Sequence, residues 1–312
     1  MKKVAVIAIG GNAIIQADEK GTLEEQFNNI LGACDPIIDL IEEGYTVVLA
    51  HGNGPHVGNA LLKVEAASKK IPPITLDICG AETQGSIGYM IQQCVYNRMR
   101  KRNISKNIAT IVTQVVVDKN DSAFQNPTKP IGPFYTKERA EEILKEKDID
   151  IIEDSGRGYR QVVASPEPLE IIEKDAIKTL VEQDFVVITI GGGGIPVIRE
   201  NGNLKGIEAV IDKDRASALL AEEIDADYLI LLTAVEQVAI NYNTDNQRSL
   251  DRLSVSEAEE YLKAGQFPPG NMGPKIQSAI KFVKNSEGEA IITSIDKLQE
   301  AIKGKTGTRI IK

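Results

Sequence analysis

The sequence predicts an α/β protein. Short β-branched apolar runs alternate with amphipathic helical stretches, and three of those runs empty directly into glycine loops. Lys3 to Ala13, KVAVIAIGGNA, is the first; Thr46 to Ala50 runs into His51-Gly52-Asn53-Gly54, and Phe185 to Ile190 runs into Gly191 to Gly194. In one parallel sheet such strands deliver their loops to one edge, where ligands of open α/β sheets bind. Glycine lets each loop bring backbone N–H groups close to an anion, so the three together predict a site for a polyanion, phosphates first. At 312 residues the chain exceeds the roughly 100–200 of one ordinary domain, and two domains or one two-lobed unit are expected.

After the first loop, Thr22-Leu-Glu-Glu25 is a capping box ahead of a long amphipathic helix that stops at Gly44, with Pro36 expected to kink or divide it. A second helix is expected from about Val57 to Ala67, and a third from Asp77 to Arg102. Gly80, Gly85 and Gly88 on the third point to close approach of another helix or of a subunit. Ile108 to Asp118 reads as one further strand. Lys119 to Pro133, with three prolines, then a charged helix Thr136 to Lys147, a strand Asp150 to Glu153 and the run GRGYRQVVASPEP do not resemble the units on either side. They read as a small inserted subdomain reaching about residue 170, a good place for a lid or substrate-binding element. Asp175 to Asp184 resumes the helical pattern, and Asn201-Gly202-Asn203 is the turn of a hairpin. A helix opens at Val210 to Asp214 and runs to about Glu223; Asp227 to Thr233 is a buried strand. Ser254 to Glu257 forms a second capping box with Gly265 as the stop, GNMGPK starts a helix at Gly270, and Glu289 to Ser294 and the TRII run are the last strands.

Composition excludes several classes. Hydrophobic residues are 42% and charged residues 26%, ordinary for a globular chain, while aromatics are 4% and the net charge is −9. Nucleic acid is not an expected partner, since stacking aromatics and a basic face are both missing. No secretion signal is visible, no apolar run approaches the ~20 residues needed to span a bilayer, and Cys34, Cys79 and Cys94 suit buried thiols in a reducing compartment. A soluble protein of the cytoplasm, without membrane partners, is expected. Neither G-x-x-x-x-G-K-[ST] nor G-x-G-x-x-G is present, which disfavours a P-loop NTPase and a dinucleotide oxidoreductase. His51 and His56 lack further ligands at metal-binding spacing, so they read as loop residues satisfied by backbone hydrogen bonds, and no resident metal site is expected.

What remains is glycine loops and three lysines in unusual company. Lys129 lies between prolines in PTKPIGP; Lys213 sits between Asp212 and Asp214 at a helix start; Lys275 follows Gly273-Pro274 near another helix N-terminus, where the dipole favours an anion. Phosphoryl transfer needs this set, much positive charge and many backbone donors aimed at phosphoryl oxygens, with Mg²⁺ beside them. Asp212 and Asp214 fit helix caps, and Asp214 also fits a group that orients the lysines.

On these motifs the chain resembles the carbamate kinases of the amino-acid kinase family over essentially its whole length. The matching stretches are IGGNA at Ile9, HGNGPHVG at His51, VDKNDSAFQNPTKPIGPFY from Val117, GGGGIPV at Gly191, EAVIDKDRASALLA from Glu208 and GNMGPK at Gly270. The resemblance implies an open three-layer αβα sandwich with a mainly parallel sheet. Its N-terminal lobe, 1–184, would bind carbamate or carbamoyl phosphate and carry the protruding insert at about 119–170, and its C-terminal lobe, 185–312, would bind nucleotide. It implies a homodimer that transfers phosphoryl reversibly between MgATP and carbamate, in the direction of ATP in organisms that break down arginine. Carried over by position, Gly10, Gly11, Asn12, Gly52, Asn53 and Gly54 would hold carbamoyl phosphate, with Lys129 reaching it from the insert. Lys213, Lys275, Met272 and Gly273 would contact the nucleotide, Asp214 would organise the lysines, and Thr233, Ala234 and Val235 would help form the adenine pocket. Many other amino-acid kinases place a lysine two residues before the paired glycines; here that position is Ala8, and Lys213 would supply the charge. Tyr159, Gln161 and Ala164 depart from the Trp, Arg and Pro of the family pattern. Rival expectations are an amino-acid kinase with another carboxylate acceptor, such as acetylglutamate, and a nucleotide-binding regulatory protein without turnover.

Overall fold

Alternation within the first two strands decides the layering. Along Val4–Ile9, Ala5, Ile7 and Ile9 enter one apolar cluster while Val6 and Ala8 enter another; along Thr46–His51, Val47 and Leu49 take the first side and Val48 and Ala50 the second. Both faces of the sheet are therefore covered, as a mainly parallel sheet requires. In a computed structural model that describes residues 2–16, 19–146, 149–153, 158–268 and 272–312, helices Leu23–Glu42, Leu76–Lys101 and Leu298–Ile302 cover one face. Helices Lys174–Glu182, Lys213–Glu223, Val255–Lys263 and Met272–Asn285 cover the other.

The central sheet has eight strands in the order Arg252–Ser254, Thr308–Ile311, Glu289–Thr293, Tyr228–Leu232, Val4–Ile9, Thr46–His51, Val186–Ile188, Ile108–Thr110. Every pairing is parallel except that of Glu289–Thr293 with Thr308–Ile311. The three strands that precede glycine loops are neighbours, so their carboxyl ends share one edge as expected. The sheet draws strands from both halves of the chain.

Thr22 and Glu25 form the expected capping box, and Gly44 ends the turn after the helix at φ +93°. Pro36 does not divide that helix, which runs unbroken over Leu23–Glu42 because Ile30, Ala33, Cys34, Ile37, Ile38 and Ile41 bury its inner face on both sides of the proline. The next helix starts a turn earlier than expected, at Gly54, with Pro55 in its first turn, where a missing N–H costs nothing. Of Gly80, Gly85 and Gly88 on Leu76–Lys101, only Gly88 is tightly packed. A Cβ there would lie 2.3 Å from Cγ2 of Thr110, so the close neighbour is the edge strand and not a helix or subunit; Gly80 and Gly85 have open space.

Ile108 to Asp118 is two strands in two sheets. Ile108–Thr110 ends the central sheet, and Gln114–Val116 joins Ile195–Glu200, Asn203–Gly206 and Glu170–Ile171 in a second one. Asn201 and Gly202, at φ +52° and +81°, make the expected hairpin turn. The insert is a three-stranded antiparallel sheet, Lys129–Tyr135, Tyr159–Val163 and Asp150–Glu153, with helix Lys137–Glu146. Its first strand falls where prolines suggested only loop; it is an edge strand, which tolerates Pro130 and Pro133. The insert rests on helix Gly54–Ala67, where a Cβ on Gly58 would meet the Cα of Gly132 at 2.8 Å. At its far end Glu167 holds Arg215 at 3.4 Å and Lys281 at 2.7 Å, tying it to the helices on the opposite face.

Candidate active site

Helix Lys213–Glu223 starts at the carboxyl edge of the sheet. Asp212 caps it, its carboxylate accepting from the backbone N–H of Asp214 at 2.9 Å and of Arg215 at 3.4 Å. The other Asp212 oxygen accepts from Lys129 Nζ at 2.6 Å, so the insert reaches the head of this helix. Asp214, in the first turn, accepts from Lys213 Nζ at 2.5 Å and from Lys275 Nζ at 3.0 Å. Lys275 stands in the first turn of Met272–Asn285, which packs beside Lys213–Glu223. Residues separated by 83 and 61 positions thus meet in one cluster.

Three ammonium groups share two carboxylates, and two of the lysines stand at helix N-termini, where a cation is disfavoured. The cluster carries an excess positive charge in a setting that favours an anion. Burial opposes charge on Asp214, but Lys213 and Lys275 outweigh it and hold the carboxylate below its usual range. Burial also opposes charge on Asp212, which Lys129 and Lys213 hold low. Lys213 is pulled down by burial and raised above its ordinary value by Asp214 and Asp212. Lys275 is pushed down to about 8 by burial and by Lys213, with Asp214 the carboxylate it bonds among the described residues.

The glycine loops meet one another before they meet a ligand. A Cβ on Gly52 would lie 2.6 Å from the backbone N of Gly11, so the first two loops touch through bare backbone. Gly10, Gly11 and Gly54 are partly open at the sheet edge, beside the buried Asn53; the side chain of Asn12 lies outside the described residues. Gly191 to Gly194 correct the expectation of a third anion cradle: all four are buried, at φ +68° to +96° from Gly192 on, and serve close packing. Cβ atoms there would meet His51 Nε2 at 2.4 Å, Asn53 Nδ2 at 2.2 Å, the Ile211 carbonyl oxygen at 2.2 Å and Val115 at 2.2 Å in turn.

Behind the loops runs a buried polar network that the sequence did not disclose. Gln84 donates to the carbonyls of Thr113 and Gly191, both at 3.1 Å, and accepts from Thr113 N at 2.7 Å. Thr113 and Thr189 hydroxyls are 2.7 Å apart, and Thr113 also takes the N–H of Ile190. This clasp is why the chain leaves the central sheet between Thr110 and Gln114. His51 ends a strand instead of lying in the loop; its Nδ1 is 3.1 Å from the Gly52 carbonyl, and burial pushes its pKa down to about 4, so it donates there as a neutral ring. His56 bonds the Gln26 side chain at 2.8 Å, not backbone. The three cysteines are buried free thiols. Thr233, Ala234 and Val235 follow Tyr228–Leu232 at the same edge, beside the first strand, and Gly273 donates to the Pro268 carbonyl at 2.9 Å. Gly270 and Asn271 of the GNMGPK motif lie outside the described residues.

The model of the amino acid kinase family matches residues 3–294, and the chain belongs to that family. Within it the full-length likeness is to carbamate kinases. The chain is 52% identical to carbamate kinase of Thermococcus kodakarensis over the whole of both proteins, and 49% identical to that of Pyrococcus horikoshii over 99% of each. The structure of carbamate kinase from Giardia lamblia bound to AMP-PNP superposes with a TM-score of 0.93 at 46% identity, covering all of this chain and 99% of that one. The chain is accordingly an ATP-dependent phosphotransferase with the amino-acid kinase fold.

Removing the shared carboxylate tests the cluster. D214N leaves two buried ammonium groups facing each other and is expected to lower stability by about 3–5 kcal/mol near pH 6. The deficit should shrink as pH rises toward 8. Lys275 holds its proton less tightly folded than unfolded, so its contribution to stability rises with pH only above about 8. Without Asp214 the proton leaves earlier and that rise begins at lower pH. Denaturant titrations across this range decide; a deficit constant with pH would refute the coupling.

Proposed function

We propose that this chain catalyses reversible phosphoryl transfer between MgATP and carbamate, giving ADP and carbamoyl phosphate, and that it works in the cytoplasm, making ATP from carbamoyl phosphate in arginine catabolism. One observation carries the reading: Lys129, Lys213 and Lys275 converge through Asp212 and Asp214 at the edge where the glycine loops end. The full-length likeness to carbamate kinases supports the acceptor.

In the forward direction a carbamate oxygen attacks the γ-phosphorus, the bond to the bridging oxygen breaks, and ADP leaves; the reverse makes ATP. Both aspartates are committed to lysines, so Mg²⁺ enters with the nucleotide as part of the substrate. Backbone donors of Gly10, Gly11, Asn53 and Gly54, with Asn12, hold the carbamoyl phosphate side, in the lobe formed by residues 1–184, and Gly52, whose own N–H donates to the Ile9 carbonyl at 2.9 Å, lets the two loops close around it. Met272, Gly273 and the 233–235 stretch receive the nucleotide in the lobe formed by 185–312. Lys213 and Lys275 neutralise charge on the transferring group and on the nucleotide phosphates. Asp214 fixes their positions beforehand, so little reorganisation is needed in the transition state. Lys129, held by Asp212, brings a cation from the insert at about 119–170, which excludes water from a labile acyl phosphate.

The enzyme acts as a homodimer through the outer face of Leu76–Lys101. Ile78, Tyr89 and Tyr96 stand exposed there at 45%, 58% and 44%, on the face that also carries the open Gly85.

With MgADP and carbamoyl phosphate the purified protein should form ATP far above a no-enzyme control. K213A should lower kcat by about 10²–10³ in protein that still folds and binds ADP; near-normal turnover would remove Lys213 from the chemistry. K129A should raise KM for carbamoyl phosphate much more than for ADP, and an equal rise for both would count against the lid. Y89E should sediment as a monomer, whereas an unchanged dimer would place the interface elsewhere.

A further inference from the structure

Asn53 occupies the loop that the proposed function assigns to carbamoyl phosphate, and one neighbour dictates which end of its amide faces away from the protein framework. Thr83, 4% exposed on the inner side of Leu76–Lys101, has its hydroxyl 2.7 Å from the carbonyl oxygen of Gly80. A carbonyl only accepts, so the single hydroxyl hydrogen of Thr83 is committed to it. Thr83 Oγ1 can then only accept, and its second partner is the Asn53 amide at 2.8 Å. Asn53 must therefore present Nδ2 to Thr83, which turns Oδ1 the other way. The relay Gly80 carbonyl, Thr83 hydroxyl, Asn53 amide has one chemically allowed polarity.

Gly192 holds the amide in place. A Cβ there would lie 2.2, 2.4 and 2.6 Å from Nδ2, Cγ and Oδ1 of Asn53, so the glycine backbone packs flat against the whole group. Asn53 is only 7% exposed, yet among the described residues its Oδ1 has no donor. That oxygen is not sealed off from solvent, so an acceptor fixed in direction stays available to a donor on an entering ligand.

Around it the loops offer donors, the backbone N–H groups that suit phosphoryl oxygens. A fixed acceptor among them matches the one donor that an acyl phosphate of this kind carries, an amino group on the acyl carbon. We infer that Thr83 is a positioning residue that makes Asn53 an acceptor for the substrate's amino group and so sets the preference for carbamoyl phosphate over acyl phosphates lacking that group. This deepens the proposed function and rests on it. Acetyl phosphate, with methyl in place of amino, has nearly the same size, so steric exclusion cannot separate the two; an oriented hydrogen bond can. In T83V or T83A the amide is free to present either end, and the preference weakens.

The experiment is ATP formation from MgADP with carbamoyl phosphate or acetyl phosphate as donor, using the full chain as wild type, T83V, T83A and T83S. Specificity is the ratio of kcat/KM values or, where acetyl phosphate is not turned over, its inhibition constant divided by KM for carbamoyl phosphate. T83V and T83A should each narrow the ratio by about tenfold or more, through loss on carbamoyl phosphate, while T83S, which keeps the hydroxyl, stays within about twofold of wild type. T83A serves if the branched T83V does not fold, and melting temperatures identify folded variants. An unchanged ratio in either folded variant, or an equal loss in T83S, overturns the inference. A wild type that makes no ATP from carbamoyl phosphate overturns the underlying reading of the site, a result visible before any variant is made.

Discussion

A single buried carboxylate shared by two lysines is the constraint on which the site depends. Lys213 and Lys275 hold Asp214 charged at its depth, and Asp214 in turn favours the charged form of both lysines. The lysines are not equivalent. Asp214 and Asp212 raise Lys213, while for Lys275 burial and Lys213 outweigh the same two carboxylates and push it down to about 8. In the function proposed, a phosphate arriving between them would favour the protonated form of Lys275 most, and nucleotide binding and that protonation would reinforce each other. The cluster is stable enough to fold and still short of one negative charge.

Holding that cluster at the sheet edge takes close packing that side chains would prevent. The four buried glycines from Gly191 let the third strand's loop lie against His51, Asn53, Ile211 and Val115 at distances no Cβ allows. Ile211 immediately precedes the cap of the lysine-bearing helix. The glycine loop thus fixes the second loop relative to that helix start, and glycines that look like a phosphate cradle act as a spacer of minimal thickness. Gln84 and Thr113 complete this layer with hydrogen bonds, closing the buried polar groups that the departure of the chain from the central sheet would otherwise leave open.

Much of this was legible in the sequence, for local reasons. The apolar strand runs, both capping boxes, the Asn-Gly hairpin turn and the alternation of strands with helices are written in neighbouring residues. The three lysines stood out because Pro, Gly or Asp flanks each of them. What was hidden depends on distant partners. Nothing near Lys129 announces Asp212, and nothing near Asn53 announces Thr83 or Gly192. Proline concealed the strand at Lys129, since an edge strand accepts what a central one refuses. Pro36 suggested a break that buried residues on both sides override.

The Lys129–Asp212 pair explains how so small an acceptor can be handled. Carbamate offers little surface, so in the function proposed binding energy comes from charge and from closure of the insert over the site. Asp212 caps the helix that carries Lys213 and at the same time receives the insert's lysine, so one carboxylate bonds both the lid and the catalytic helix. Lys129 is more exposed than the other two lysines, 35% against 14% and 8%, and is the one whose ammonium can shift toward an incoming phosphoryl group at small cost. Its departure would leave Asp212 still bonded to the helix N–H groups, so the cap survives while the lid changes partner. The rigid charges are built on the sheet-bound helices and the adjustable one on the insert, the arrangement expected where phosphoryl transfer must begin only after the acceptor is enclosed.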